Sequence, residues 1–322
     1  MAVTALAVIG LAVSLDLLVG EPPTPAHPVA WFGRLVGALD RDWSVTERGQ
    51  RLAGVGIAAL APLVPAVVAG GAVLAATAVH PLAGGVVAAI VLFLTISIRS
   101  LLELTGTVVA ATDGDLADAR TQVRGLVGRD ASTLSAGELR SAAVESAAEN
   151  LADGLVATVL PFAVLAPVSL PAAAAAAAWV KGVNTLDSML GYPSKPVGTA
   201  SARLDDLVMF LPARVSAIAI AIAAADPLAL ARARAWAQVP PSPNSGWPMA
   251  TLACALAIRL EKPGVYTLNP DAALPTLADG ERGVSLVGRA AGVSIVIAAG
   301  FVVFVSTGLG LESSPLAEVF LT

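Results

Sequence analysis

Apolar residues fall along this chain in long runs, not in the strict alternation of a half-buried strand or the narrow stripe of a soluble helix. Residues 3–19 form one run about the length of a bilayer, interrupted only by Asp16. Residues 52–79 and 82–98 form two more, joined at the uncharged His80-Pro81 connection, which predicts a transmembrane hairpin. A clean final run covers 287–309. The first run lacks a basic stretch before it and a small-x-small cleavage site after it, so it predicts a retained helix and not a signal peptide.

The stretches between these runs differ. Residues 99–153 carry charges throughout and predict a mostly water-facing helical insert, with Asp115 as the N-cap before Leu116. Residues 154–180 are apolar but broken by Pro161, Pro167 and Pro171, a pattern that fits a re-entrant or broken hairpin as well as one straight span. Residues 207–225 contain Pro212 and Arg214 and fit either a span or a re-entrant segment, while 249–260 are short and 261–286 loop-like. No internal repeat or linker divides the chain. The expectation is one domain over 1–322, an all-α, polytopic integral membrane protein with a helical cytoplasmic insert at about 99–153 and broken or re-entrant segments.

Composition agrees. Hydrophobic residues make up 56% and charged residues 13% of 322, and the mean hydropathy is +0.79. Soluble domains carry roughly 25% charged residues, so a soluble fold is excluded and a lipid bilayer is the expected surroundings. Aromatic residues are only 4%; the apolar excess is Ala, Val, Leu, Ile and Gly, which suits close helix packing. A net charge of −5 gives no basic field for nucleic acid. Cys254 alone excludes an internal disulfide, and His27 and His80 are too few for a histidine-based zinc site. Arginines at 34–51 and 99–140 flank the uncharged 79–82 turn, so the positive-inside tendency puts both basic loops in the cytoplasm.

Four polar segments at the edges of apolar runs carry the candidate chemistry. The first runs from Asp16 through Glu21, His27 and Trp31 to Arg34; it fits a proline-rich exit loop with an interfacial tryptophan, or a polar site at the membrane surface. In the second, Glu145, Glu149 and Asp153 are spaced to share one helix face. Like charges at that spacing repel unless a cation lies between them, and hard oxygen ligands suit magnesium. A solvated acidic face is the bland alternative, but this one runs into a membrane segment, where charge is costly. The third joins Lys181, Asn184, Asp187 and Ser188 to Arg203, Asp205 and Asp206; the paired aspartates suit a metal and the cations suit phosphate oxygens, although local ion pairs would give the same pattern. The fourth, Pro240 to Pro248, is a rigid turn-rich loop containing Asn244 and Trp247. No P-loop, nucleophile elbow or H-E-x-x-H motif is present.

In order along residues 15–260, these pieces resemble the CobD/CbiB family, the adenosylcobinamide-phosphate synthases. The resemblance is carried by His27-Pro28-Val29 with Trp31, Gly33 and Arg34, by Ser97-Ile98-Arg99 with Glu103, and by Val127-Gly128-Arg129-Asp130. It continues through 143–154, 181–192, 201–206 and 242–248. Two departures stand out: Pro193-Ser194-Lys195-Pro196 replaces a charged run, and Tyr266 only loosely echoes a tyrosine-containing loop.

The resemblance implies an ATP-dependent amide-forming ligase of cobalamin biosynthesis. It would join the propionate of adenosylcobyric acid to (R)-1-amino-2-propanol or its O-phosphate, with ATP as cosubstrate and Mg2+ as cofactor. Asp187, Lys181 and Glu149 are then the catalytic candidates. Glu145, Glu149, Asp153, Asp205 and Asp206 are the metal candidates, and His27, Arg34, Arg99, Asn184, Arg203, Asn244 and Trp247 would bind substrate or phosphate. The segments are expected to meet at the cytoplasmic face of the cell membrane, where other corrinoid-pathway enzymes could dock. Two other readings fit the residues: a transporter with Asp16 and Arg214 lining a path, and a scaffold for corrinoid enzymes.

Overall fold

The computed structural model describes residues 1–128 and 130–310; Arg129, within one motif of the resemblance, lies outside them. The described residues are mostly helical. It runs α1 (Ala2–Val19), α2 (Pro28–Leu39), α3 (Glu47–Leu60), α4 (Leu63–Val79), α5 (Pro81–Phe93), α6 (Ile98–Ala111), α7 (Leu116–Gln122) and α8 (Ala136–Leu151). A π-helical turn at Ala152–Val156 leads into α9 (Ala157–Leu165). Then come α10 (Leu170–Leu190), α11 (Thr199–Val208), α12 (Phe210–Ala223), α13 (Pro227–Ala233) and α14 (Gly246–Leu256). An antiparallel hairpin of β1 (Leu260–Lys262) and β2 (Tyr266–Leu268) precedes α15 (Leu277–Gly308).

Among the described residues, helical stretches long and apolar enough to cross a membrane are Ala2–Val19, Glu47–Val79, Pro81–Ala111, Ala136–Leu165 and Leu277–Gly308. The pair Pro196–Val208 and Phe210–Ala223 raises the five to six when counted as one span. The protein is therefore a polytopic α-helical membrane protein. Exposed Val64, Val67, Val68 and Leu74 on α4 form the apolar surface that lipid requires.

Local sequence explains the main boundaries. His80 and Pro81 end α4 and start α5, and the two helices pack together as the expected hairpin. His80 Nδ1 accepts from Leu82 N at 3.2 Å, and Pro81 occupies the first turn, where its missing N–H costs nothing. Asp115 caps α7 as expected, accepting from Ala117 N at 2.8 Å. The 154–180 stretch is broken: α9 stops before Ser169, which caps α10, and α10 packs back on α9. In the 99–153 stretch the exposed charges concentrate between Asp113 and Ser135, whereas Ser141 through Ala148 of α8 are all buried.

By its contacts the chain divides into two compact units. The first comprises Met1–Ser97, Ala157–Val208 and the described residues from Val296 onward. Its central helix is α10, which packs on α2, α4, α5, α9 and α11. Alanines at 173, 174 and 177 bury that face and let neighbours approach closely. Phe32 and Val36 of α2 fill one end of the core with Leu186 and Leu190 of α10. The second unit comprises Ile98–Val156 and Met209–Ile295. There α8 packs on α6, α14 and β1, and α12 packs on α14.

Candidate functional site

In the first unit, the C-terminal half of α10 gathers one set of candidates. Lys181, Asn184 and Asp187 occupy successive turns, all half-buried. His27 is the N-cap of α2, its Nδ1 accepting from Val29 N at 3.2 Å. Burial lowers its pKa below the usual imidazole value; the nearby Lys181 ammonium adds to the shift and the Glu21 carboxylate opposes it. His27 and Lys181 thus lie within electrostatic reach of each other. Arg34, further along α2, is exposed.

Burial raises the Asp187 pKa above the ordinary carboxylate value, and the charge of Asp206 on α11 raises it further. The turn between α10 and α11 sets this approach. A Cβ on Gly191 would stand 1.8 Å from Asp187 Oδ1, and one on Gly198 would stand 1.7 Å from the Leu190 carbonyl oxygen. Only glycine allows the chain to fold so tightly there. Asp205 and Asp206 are half-buried on α11, while Arg203 points to an exposed surface.

The second unit holds the other candidates. Glu145 is buried at mid-α8, and its Oε1 accepts from the Tyr266 hydroxyl at 2.7 Å. Glu149 follows one turn later, half-buried. Asp153 lies in the π-helical turn, where the wider i→i+5 register replaces the α-helical spacing expected to align all three carboxylates. Arg99 on α6 pairs with Glu103 at 2.7 Å. Asn244 is buried and its Oδ1 accepts from Arg214 of α12. Trp247, in the first turn of α14, lies with its ring centroid 5.3 Å from the Arg214 guanidinium.

Among the described residues, no group of three or more His, Cys, Asp or Glu side chains is arranged to hold a metal. The carboxylates instead occur as smaller sets, Asp187 with Asp206 in one unit and Glu145 with Glu149 in the other. Two residues enter that motif reading had not placed in the ligase site, Tyr266 and Arg214. Arg214 is a charge within an apolar run, and Tyr266 is the loose echo of a tyrosine-containing loop; those are the signals by which each could have been found.

The family model described as CobD/Cbib protein matches residues 9–296. The Geobacter metallireducens protein named cobalamin biosynthesis protein CobD is 40% identical over 283 residues, covering 85% of this chain and 86% of its own. The Rhodobacter capsulatus protein of the same name is 37% identical over 314 residues, covering 89% and 94%. A Methanothrix thermoacetophila protein named probable cobalamin biosynthesis protein CobD is 34% identical over 304 residues, covering 90% and 94%. No solved structure matches.

Proposed function

The chain belongs to the CobD/CbiB family, and from that membership we propose that it acts in cobalamin biosynthesis as an amide-forming ligase. Its substrates in this reading are adenosylcobyric acid, ATP and (R)-1-amino-2-propanol or the O-phosphate. The observation that carries the reading is the reach of the family match, 9–296, which takes in all four polar segments.

A carboxylate does not accept an amine until one of its oxygens can leave. Transfer of the terminal phosphoryl group of ATP to the propionate oxygen forms an acyl phosphate and ADP. The amine nitrogen then attacks the acyl carbon, the C–O bond to phosphate breaks, and amide and inorganic phosphate result. The amine arrives as an ammonium and must first lose a proton. Asp187 suits that task, because a carboxyl with a raised pKa is the better proton acceptor near neutral pH. Lys181 and Arg203, from the same unit, supply cations for phosphate oxygens.

Magnesium bound with a nucleotide needs only one or two protein carboxylates, the remaining ligands being phosphate oxygens and water. Asp205 and Asp206 fit that requirement with hard oxygen donors and without a three-carboxylate cluster. In Glu145 one oxygen is already engaged by Tyr266. The ion would neutralise charge on the transferring phosphoryl group. The arginine-bearing loops support a site at the cytoplasmic face of the cell membrane in this reading.

The test is to incubate the purified full-length protein with adenosylcobyric acid, ATP, magnesium and either amine, and to weigh the corrinoid product. An amide adduct that requires ATP is expected. Unchanged corrinoid with both amines, from protein that melts cooperatively, overturns the ligase reading.

A further inference from the structure

The segment between α1 and the Glu47–Val79 span contains α2, a helix that is apolar on two sides. One side is buried: Phe32 and Val36 pack on Ala58 and Ala61 of that span and on Leu186 and Leu190 of α10. The other side is open. Trp31, Leu35 and Ala38 recur at i, i+4 and i+7 and so share one face, with Trp31 52% and Leu35 41% exposed. Trp31 Nε1 donates to the Pro25 carbonyl at 2.8 Å, so the exposed indole has its donor satisfied within the chain.

Length decides how α2 meets the membrane. Its 12 residues make about 18 Å, too little to cross a hydrocarbon layer of ~30 Å, so it lies at one face. The neighbouring span fixes its depth. Glu47–Val79 has 33 residues, about 50 Å, and ends at the His80-Pro81 turn. Roughly 20 residues cross the hydrocarbon, and counted back from Val79 they end at Leu60. Ala58 and Ala61, on which α2 packs, straddle that point. α2 therefore sits where acyl chains give way to head groups.

The surroundings agree with that depth. Leu18 and Val19 at the end of α1 and Leu60 on the span are all exposed, so the outward face of α2 continues a lipid-facing surface. Charges bracket the helix, Glu21 before it and Asp40, Arg41 and Asp42 after it. Arg34 lies beside the exposed face, where a long side chain reaches the head groups while its stem stays in apolar surroundings.

We propose that α2 is an interfacial helix, with the face of Trp31, Leu35 and Ala38 seated in the bilayer surface and lipid as the partner that covers it. A helix lying in the interface buries its apolar side to the head-group and acyl boundary, and tryptophan is suited to that level. The candidate site is joined to this helix. His27 caps it within electrostatic reach of Lys181, and its buried side packs on Leu186 and Leu190, which flank Asp187 along α10. The lipid surface thus supports one side of that site, whatever reaction it performs.

The experiment reconstitutes the full-length protein, carrying Cys254→Ala and one introduced cysteine labelled with the fluorophore NBD, in phosphatidylcholine vesicles. Leu35→Cys probes the proposed face, Ala38→Cys gives a second reading on it, and Val67→Cys on α4 marks the hydrocarbon. Thermal melting confirms that each variant folds. Quenchers are nitroxide lipids labelled near the head group or near the acyl end, and aqueous iodide. Labels at 35 and 38 are expected to lose more fluorescence to the shallow nitroxide than to the deep one, with the order reversed at 67. Quenching at 35 and 38 by iodide alone overturns the proposal, since the face then meets water. Shielding from all three quenchers, as a second copy of the chain would give, overturns it too, and so does stronger quenching by the deep nitroxide. No substrate is present, so the result is independent of the ligase reading.

Discussion

The Tyr266 hydroxyl donates a 2.7 Å hydrogen bond to Glu145 Oε1, joining residues 121 positions apart. One turn earlier on the same face of α8, Ser141 Oγ accepts from Glu261 N at 2.8 Å. The short β-hairpin is therefore fastened to α8 at two points, and the stronger one orients a buried carboxylate. The 261–286 stretch, expected to be loop-like, thus holds most of this hairpin and, from Leu277, the start of α15. The hairpin is fixed by partners on α8 that its composition does not show.

Removing the phenolic hydroxyl tests that task. Tyr266→Phe deletes a hydrogen bond to a buried carboxyl group, and leaving that oxygen unsatisfied costs about 1–3 kcal/mol. The thermal midpoint of the purified protein in detergent is expected to fall, and to fall further than in Ser141→Ala, which removes a neutral bond. Equal midpoints for Tyr266→Phe and wild type would show that the hairpin does not depend on Glu145.

The pH dependence of stability should report Asp187. Its pKa is raised in the folded state, chiefly by burial and then by Asp206. Above the ordinary carboxylate value the folded chain thus holds a proton that the unfolded chain has released, and stability falls as pH rises through the raised value. Melting curves across that window should show this loss in wild type and not in Asp187→Asn. Asp206→Asn should keep the larger part, since burial is the larger cause.

Much of the fold was legible because its signals are local. Apolar runs of bilayer length mark spans, the His80-Pro81 pair marks a hairpin, and Asp115 marks a helix start. What escaped depends on distant partners. Strands of three residues leave only the Pro263-Gly264 turn as a trace, with Gly264 at φ 74°. The acidic repeat at 145, 149 and 153 follows α-helical arithmetic, yet a π-helical turn carries the third member. The residue types of the candidate site could be read from sequence. That Asp187 feels Asp206, and that Glu145 bonds Tyr266, could not, because packing and not spacing creates those pairs.

His27 offers a second pH test of opposite sign. As the α2 cap its Nδ1 must stay unprotonated to accept from Val29 N, and burial depresses its pKa. The unfolded chain binds the extra proton first, so stability is present above the ordinary imidazole value and is lost as pH falls through the lowered one. His27→Asn is expected to retain the cap without this loss. His27→Ala should cost about 1 kcal/mol at neutral pH, the usual worth of a cap. Melting at pH 5 and pH 7.5 distinguishes the three proteins.

The α10–α11 turn makes a steric prediction. Gly198 has a negative φ, so backbone freedom is not its reason; the Leu190 carbonyl 1.7 Å from a built Cβ is. Gly198→Ala must push α11 away from α10, at a cost of roughly 1–3 kcal/mol for overpacking. Gly56→Ala, where nothing lies within 4 Å, is the matched control and should melt like wild type. If separation of α11 also lowers the Asp187 pKa, the pH-linked loss described above should shrink in Gly198→Ala.

Arg214 separates a structural role from a conducting one. Its guanidinium stacks on Phe210, 3.9 Å from the ring centroid, and bonds the Phe210 carbonyl at 3.0 Å, the Pro243 carbonyl at 3.4 Å and the Asn244 side chain. These contacts clamp the proline-rich 240–248 loop onto α12. An ammonium cannot reproduce a planar fork that stacks and bonds several acceptors at once. Arg214→Lys should therefore loosen the loop, seen as faster proteolysis within 240–248 and a lower melting point. A residue lining a transport path would behave differently: lysine would keep the charge, the loop would stay protected, and only ion flux in reconstituted vesicles would change.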